Sequence, residues 1–182
     1  MENRKLITRS IIGIVVLITF LIVNPIAWND ATERTVVTQM SGSQIVQLVP
    51  GPYWSGFLAK ETQWPNQISV QYQENESDFD LVDNTVDIGK VKIRFNDATM
   101  ADASGIAQFV LPMDESKMIE MHNAHKTPEA LVQRRLAPYT QECLQSAAQL
   151  LSSEAHYSGG RAQMTQDYLD QLQNGAFLLQ IN

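Results

Sequence analysis

Residues 86–125 read VDIGKVKIRFNDATMADASGIAQFVLPMDESKMIEMHNAH, and the apolar period changes inside them. In the first part it is two. Val91, Ile93 and Phe95 fall on one side and Lys90, Lys92 and Arg94 on the other, the alternation of a half-buried strand. Asn96-Asp97-Ala98 has turn chemistry and residues 99–111 return, so a hairpin is predicted. On the returning strand Ala101, Ala103, Ser104, Gly105 and Ala107 leave room for a helix or an aromatic ring to approach closely. Pro112 ends the strand. From Asp114 onward the spacing becomes helical, with Met118, Ile119 and Met121 on one side.

Upstream of this point the chain reads as strands. Residues 34–40 (RTVVTQM) and 44–49 (QIVQLV) flank the turn Ser41-Gly42-Ser43, Pro50-Gly51-Pro52 closes them, and residues 68–72 alternate again. Tyr53, Trp54 and Phe57 crowd three aromatics around Gly56. Six carboxylates lie between Glu74 and Asp87. They lack the central glycine and closing glutamate of a calcium loop, so a solvated loop is expected there.

Downstream it reads as helices. Thr127-Pro128-Glu129 supplies a capping hydroxyl, a first-turn proline and an acid at the positive end of the helix dipole. Leu131, Val132, Leu136, Tyr139, Cys143, Leu144, Ala147, Leu150 and Leu151 then recur at threes and fours, with Pro138 expected to kink or break the helix. Residues 161–173 form a last amphipathic helix carrying Met164, Tyr168, Leu169 and Leu172. Asn174-Gly175 stops it, and residues 176–181 (AFLLQI) read as a closing strand. Strands, then helices, then a strand make an α+β domain, with helices laid on a mostly antiparallel sheet.

In front of this domain Ser10 to Asn29 form twenty consecutive residues without a charge. As a helix they cover roughly 30 Å, the thickness of a bilayer's hydrocarbon core. A transmembrane helix over residues 10–29 is therefore predicted. It is built on Ser10, Ile11, Ile12, Ile14, Val15, Val16, Leu17, Ile18, Phe20, Leu21, Ile22 and Val23, with Trp28 at the interface. No convincing small-x-small site follows it, so an uncleaved anchor is favoured over a signal peptide. Arg4, Lys5 and Arg9 precede the span, which is expected to keep residues 1–9 in the cytoplasm and send the remainder across, the main competitor being a re-entrant hairpin that returns the chain to the starting side. The expected location is the cell membrane, single-pass, with the bulk of the chain extracytoplasmic, which is the periplasm in a Gram-negative cell.

The 182 residues carry 13 basic and 20 acidic groups, a net of −7. Only Glu2 among the acids lies within residues 1–29, so residues 30–182 hold ten basic and nineteen acidic groups, a net of −9. Such a surface repels phosphate backbones, and nucleic acid is not expected as a partner. The single Cys143 excludes an internal disulfide framework. His122 and His125 are three apart but lack a third ligand at fixed spacing, and they read as exposed residues near a helix end. His156 stands alone. Cys143 sits on an apolar helical face, as a packed thiol does. No nucleophile elbow, phosphate loop or dinucleotide fingerprint is present. No catalytic residue, metal ligand or cofactor is assigned, and enzymatic activity is not expected.

The order of these parts resembles the SPFH/band 7 family of stomatins, prohibitins, flotillins and the bacterial HflK/HflC type. A membrane span is followed at once by a strand, a turn and a strand closing on Pro-Gly, here Glu33-Arg34-Thr35-Val36-Val37 through Val49-Pro50-Gly51-Pro52-Tyr53-Trp54. Residues 91–112 resemble the family's central hairpin. Residues 131–175, with AQLLSSE at 148–154 and DQLQNG at 170–175, resemble a subgroup found in bacteria and their viruses. On this resemblance residues 33–182 form an SPFH-like domain, with a β-rich part over 33–112, a helical part over 113–175 and the closing strand over 176–181.

The resemblance implies a membrane-anchored, non-enzymatic scaffold. Such a protein self-associates laterally into a homo-oligomer, organises the bilayer, and regulates membrane proteins, a membrane protease among them. Family members continue past the final strand into a long charged helix. Either such a helix follows Asn182 or assembly runs through the SPFH-like domain alone. The competing expectation is an anchored binding subunit that modulates one membrane partner without forming rings. Tyr53, Trp54, Phe57 and Trp64 follow the anchor closely and are candidate contacts with the membrane surface, where Trp and Tyr are favoured. The alternative is that they fill the core.

Overall fold

The computed structural model describes residues 13–14, 25–73 and 78–175. Of the predicted anchor, only Gly13 and Ile14 in its apolar part are among them, and both are helical. The rest of that stretch up to residue 24, the expected closing strand over 176–181 and residues 74–77 lie outside the described residues, and the expectation of a solvated loop up to Asp87 is corrected, since Asp78–Val82 and Thr85–Asp87 are paired strands. Among the described residues no helix is long and apolar enough to cross a membrane. The chain is α+β, and it divides into two compact units, one holding the chain up to Asn66 with Pro112–Ala124, the other Gln67–Leu111 with the chain from His125 onward.

The first unit contains a ribbon and a sheet. Strands β1 (Ile26–Asn29) and β4 (Gly51–Trp54) pair antiparallel. Strand β2 (Glu33–Thr38) lies between β3 (Gln44–Gln47) and β5 (Lys60–Pro65), antiparallel to both. The expectation that the predicted span continues to Asn29 is corrected here: Ile26–Asn29 is strand, not the last turn of a helix. The ladder with β4 accounts for it, since four backbone positions there find partners that a helix end would leave open.

Strand β2 also departs from its sequence pattern. Four successive residues, Arg34, Thr35, Val36 and Val37, are all at most 3% exposed. A strand with one solvated face would have buried only alternate ones. The Arg34 guanidinium is satisfied by the Pro112 carbonyl, and burial lowers its pKa. Helix Glu115–His125, opened by Asp114 Oδ1 accepting from Lys117 N at 3.0 Å, contributes Met118 and His122 to this core.

In the second unit β6 (Gln67–Tyr72), β7 (Asp78–Val82), β8 (Thr85–Asp87) and β11 (Gly105–Val110) form a sheet in the order β11-β6-β8-β7. All its pairings are antiparallel except β6 with β8. The predicted hairpin is present as β9 (Val91–Arg94) and β10 (Met100–Ala103), with Ile93 opposite Ala101. The returning strand is broken at Ser104: β10 pairs with β9, and β11 with β6. The room left by its small residues is used. A Cβ at Gly105 would lie 2.6 Å from the Tyr72 hydroxyl, so only glycine lets that ring in.

The helical part follows its sequence signals closely. Thr127 Oγ1 accepts from Ala130 N at 3.2 Å and starts the helix at Pro128. Pro138 does not break it. The chain stays helical over 128–149 because Val132–Leu136 widens into a π-turn, in which Ala137 N–H reaches the Val132 carbonyl. The wider turn makes room for the proline ring and absorbs its missing donor. Val132, Cys143, Ala147 and Ala148 are fully buried. Helix Arg161–Asn174 adds Met164 and Tyr168, and the Tyr139 hydroxyl donates to the Gln171 carbonyl at 2.9 Å. These contacts tie the two long helices together.

Candidate functional site

The ribbon β1–β4 presents a face that its own register defines. Ile26 is opposite Trp54 and Trp28 is opposite Pro52, so these four side chains share one side. All four are exposed, Trp28 at 69%, Trp54 at 55% and Ile26 at 50%. Ala27 and Tyr53, on the other side, are half-buried, and Asn29 is wholly buried. The alternation is thus inverted against ordinary expectation: the large apolar groups point to solvent. Phe57 extends the face, its ring edge-on to Trp54 with centroids 5.6 Å apart. Leu58, 67% exposed, follows in a left-handed backbone conformation at φ 55. A bulky residue held there stores strain of roughly 1–3 kcal/mol, a pattern that concentrates at functional segments.

Polar locks hold the ribbon in place. The Asn29 amide shares its N–H groups among the carbonyls of Glu33, Gln47 and Val49 at 3.1–3.3 Å. Its Oδ1 accepts from the Thr35 hydroxyl at 2.8 Å. At the other end the Ser55 amide and hydroxyl both donate to the Pro25 carbonyl, at 2.9 and 3.1 Å. Every polar atom of Asn29 is engaged, so the ribbon cannot roll to hide its apolar face without leaving buried groups unpaired.

The four aromatics expected at the membrane surface divide. Trp54 and Phe57 are exposed on this face. Tyr53 lies beneath it, its hydroxyl pKa raised by burial and by Glu61 nearby. Trp64 is a correction: at 0% exposure it is the largest fully buried side chain. Its Nε1–H donates to His122 Nδ1 at 3.3 Å, and a polar handle satisfied inside the protein removes its reason to seek an interface. His122 is likewise corrected, from an exposed helix-end residue to a core residue at 6% exposure. The residues missed by sequence reading are Ile26 and Pro52, because four residues of strand are too few to show a period.

Cys143 is fully buried, and burial raises its thiol pKa. His156 packs against Phe95, the ring centroids 5.5 Å apart and the planes tilted by 48°. Among the described residues no group of three or more His, Cys, Asp or Glu side chains is arranged to hold a metal ion. The ribbon face, with Ile26, Trp28, Pro52 and Trp54 exposed on one side, is suited to contact with an apolar surface. No protein-family model matches the chain, and no curated protein matches it.

Proposed function

We propose that this chain is a membrane-anchored, non-enzymatic scaffold of SPFH/band 7 type, whose apolar ribbon lies against the extracytoplasmic leaflet and whose copies associate laterally. The single observation that carries the reading is the position of the exposed face of Ile26, Trp28, Pro52 and Trp54 immediately after an uncharged run. With Ile26–Asn29 in a strand, that run shrinks to Ser10–Pro25, sixteen residues. As a helix they cover about 24 Å, short of the ~30 Å hydrocarbon core. The shortfall draws the ribbon into the interfacial layer, where tryptophan is favoured. Confinement to a plane raises the effective concentration of copies, so weak lateral contacts suffice for assembly.

The neighbourhood of the ribbon is not basic: Asp30 and Glu61 are exposed beside Lys60. Attachment therefore rests on apolar insertion and is insensitive to lipid charge. The test is the full chain in membranes. Carbonate washing leaves it in the pellet, and bromine-labelled acyl chains quench Trp28 and Trp54 but not Trp64. Release by carbonate, or no quenching, removes the proposal. Sizing in mild detergent then separates a large oligomer from a monomer bound one-to-one to a partner.

A further inference from the structure

The second unit holds a cavity of about 450 Å³, within the range of small-ligand sites. One side is a single stripe of the helix Arg161–Asn174. Arg161, Met164, Thr165, Tyr168 and Leu169 all line it, at the spacings of three and four that put side chains on one helix face. The hairpin supplies another side through Ala101, Ala103 and Ile93, which stands opposite Ala101. Asp102 borders the cavity too, but its register partner is Lys92, and both are exposed while Ile93 is buried. Alternation places the Asp102 carboxylate on the hairpin's outward side, across from that cation. Arg161 is therefore the permanent charge on the cavity's own face. It opens its helix, and Gly160 before it provides no side-chain cap, so the positive end of the helix dipole reinforces the guanidinium.

Seven residues further on, two turns or about 10 Å along the axis, stands Tyr168, 7% exposed. Its hydroxyl meets no hydrogen-bond partner among the described residues. Burial raises its pKa above the usual phenol value and Tyr72 raises it further, the two hydroxyls lying close but outside hydrogen-bonding geometry. Tyr72 itself lies against Gly105, another residue of the cavity wall, which puts this pair of hydroxyls at the cavity's inner surface. A buried donor left open is a cost that a bound acceptor relieves. The remaining walls carry the rings of Phe95, His156 and Tyr157, with centroids 5.5 and 5.7 Å apart in sequence.

We infer that this cavity binds a small aromatic carboxylate with a second polar atom at its far end. The carboxylate pairs with Arg161 at the helix start, the ring lies among Phe95, His156 and Tyr157, and the far atom accepts from the Tyr168 hydroxyl. A guanidinium fork fits a carboxylate with two parallel hydrogen bonds, and ring walls favour an aromatic body. The same guanidinium repels an ammonium ligand. The site owes nothing to the apolar ribbon of the first unit.

The test titrates the full chain, in lipid nanodiscs or in buffer if carbonate releases it from membranes, with 4-hydroxyphenylacetate by calorimetry. One equivalent is expected to bind with a Kd below about 1 mM. The neutral 4-hydroxyphenylacetamide as ligand, and Arg161→Gln as variant, are each expected to weaken binding about tenfold or more. Phenylacetate, which offers Tyr168 no acceptor, is expected to bind about fivefold more weakly than its hydroxyl analogue. Tyr168→Phe should abolish that difference and melt no lower than the native chain. Absence of saturable binding overturns the inference, as does an amide that binds as well as the acid or an Arg161→Gln chain that binds as tightly. Phenylacetate bound as tightly as its hydroxyl analogue, or a lower melting temperature for Tyr168→Phe, also overturns it, because the hydroxyl then serves the fold and not a ligand.

Discussion

The two units put their buried polar groups to different uses. The second is conventional inside: Ile68, Val70, Val86, Val132 and Ala147 are at most 1% exposed and pack a sheet and helices into an apolar core. The first buries much that is polar, Asn29, Arg34, Thr35, Ser55 and His122, and leaves Ile26, Trp28, Trp54 and Phe57 outside. A chain that only needed to fold would have exchanged these sets. Burying a polar group is tolerable when each donor and acceptor is met, and then it fixes one arrangement. The first unit uses hydrogen bonds to hold an apolar face outward. The second also buries polar groups, Thr140, Ser146, Asp167 and Gln171, and ties its two long helices with the Tyr139 hydroxyl donating to the Gln171 carbonyl. The difference lies in what the polar ties hold: an outward apolar ribbon in the first unit, helix against helix in the second.

The largest way to break this contrast is Trp64→Ala. It removes the biggest buried side chain of the first unit and its hydrogen bond to His122 Nδ1, at an expected cost of about 3–5 kcal/mol. Chemical denaturation measures it, and a loss below about 1 kcal/mol would show that the polar locks alone sustain that core. Asn29→Ala comes next. It removes one donor from each of three carbonyls, of which that of Val49 keeps Gln47 Nε2, and the acceptor of the Thr35 hydroxyl, and about 1–3 kcal/mol of stability should go. The ribbon should loosen with it, seen as faster hydrogen exchange of the Ser55 amide, which donates to Pro25. If that amide stays protected, the ribbon is held by its ladder and not by Asn29.

Trp54→Ser combined with Phe57→Ser sharpens the comparison from the other side. Both residues are more than half exposed, so stability should move by no more than about 0.5 kcal/mol. Quenching of Trp28 by brominated lipid should nonetheless fall. A large destabilisation with unchanged quenching would reassign the face to folding.

What was readable in the sequence was local. The hairpin over residues 91–103, the Thr127 cap and the helical spacings all lie within a few residues of the signals that announce them, and they stand where expected. What was missed depends on distant partners. Trp64 looked like the other aromatics because its hydrogen-bond acceptor, His122, is 58 residues away. Ile26–Asn29 carries the letters of a helix end, and only pairing with Gly51–Trp54 makes it a strand. The candidate face was half visible: Trp54 and Phe57 were singled out, whereas its first strand was hidden inside an uncharged run. The widened turn before Pro138 was also unreadable, since a proline signals a disturbance without saying how the backbone will absorb it.

The smallest expected effect concerns the second unit's surface, where a hydrogen-bond lock like those of the first unit recurs in exposed form. Asp97, in the turn between β9 and β10, accepts from the Ser153 hydroxyl, the Ser153 amide at 2.8 Å and the Thr99 amide at 3.0 Å. These bonds, the Ser153 hydroxyl first, hold its carboxyl down at about 2, below the ordinary 3.8. The folded state therefore binds this proton less readily than the unfolded chain does. The stabilisation is complete above the ordinary value and is lost as pH falls through about 2. Because the group is open to water, the effect should be small and should shrink further in high salt. Asp97→Asn should lower the denaturation midpoint at pH 5, and the gap to the native chain should close as the pH falls through about 2. A gap that persists in acid would mean that the side chain acts by shape and neutral hydrogen bonding alone, with its charge contributing nothing.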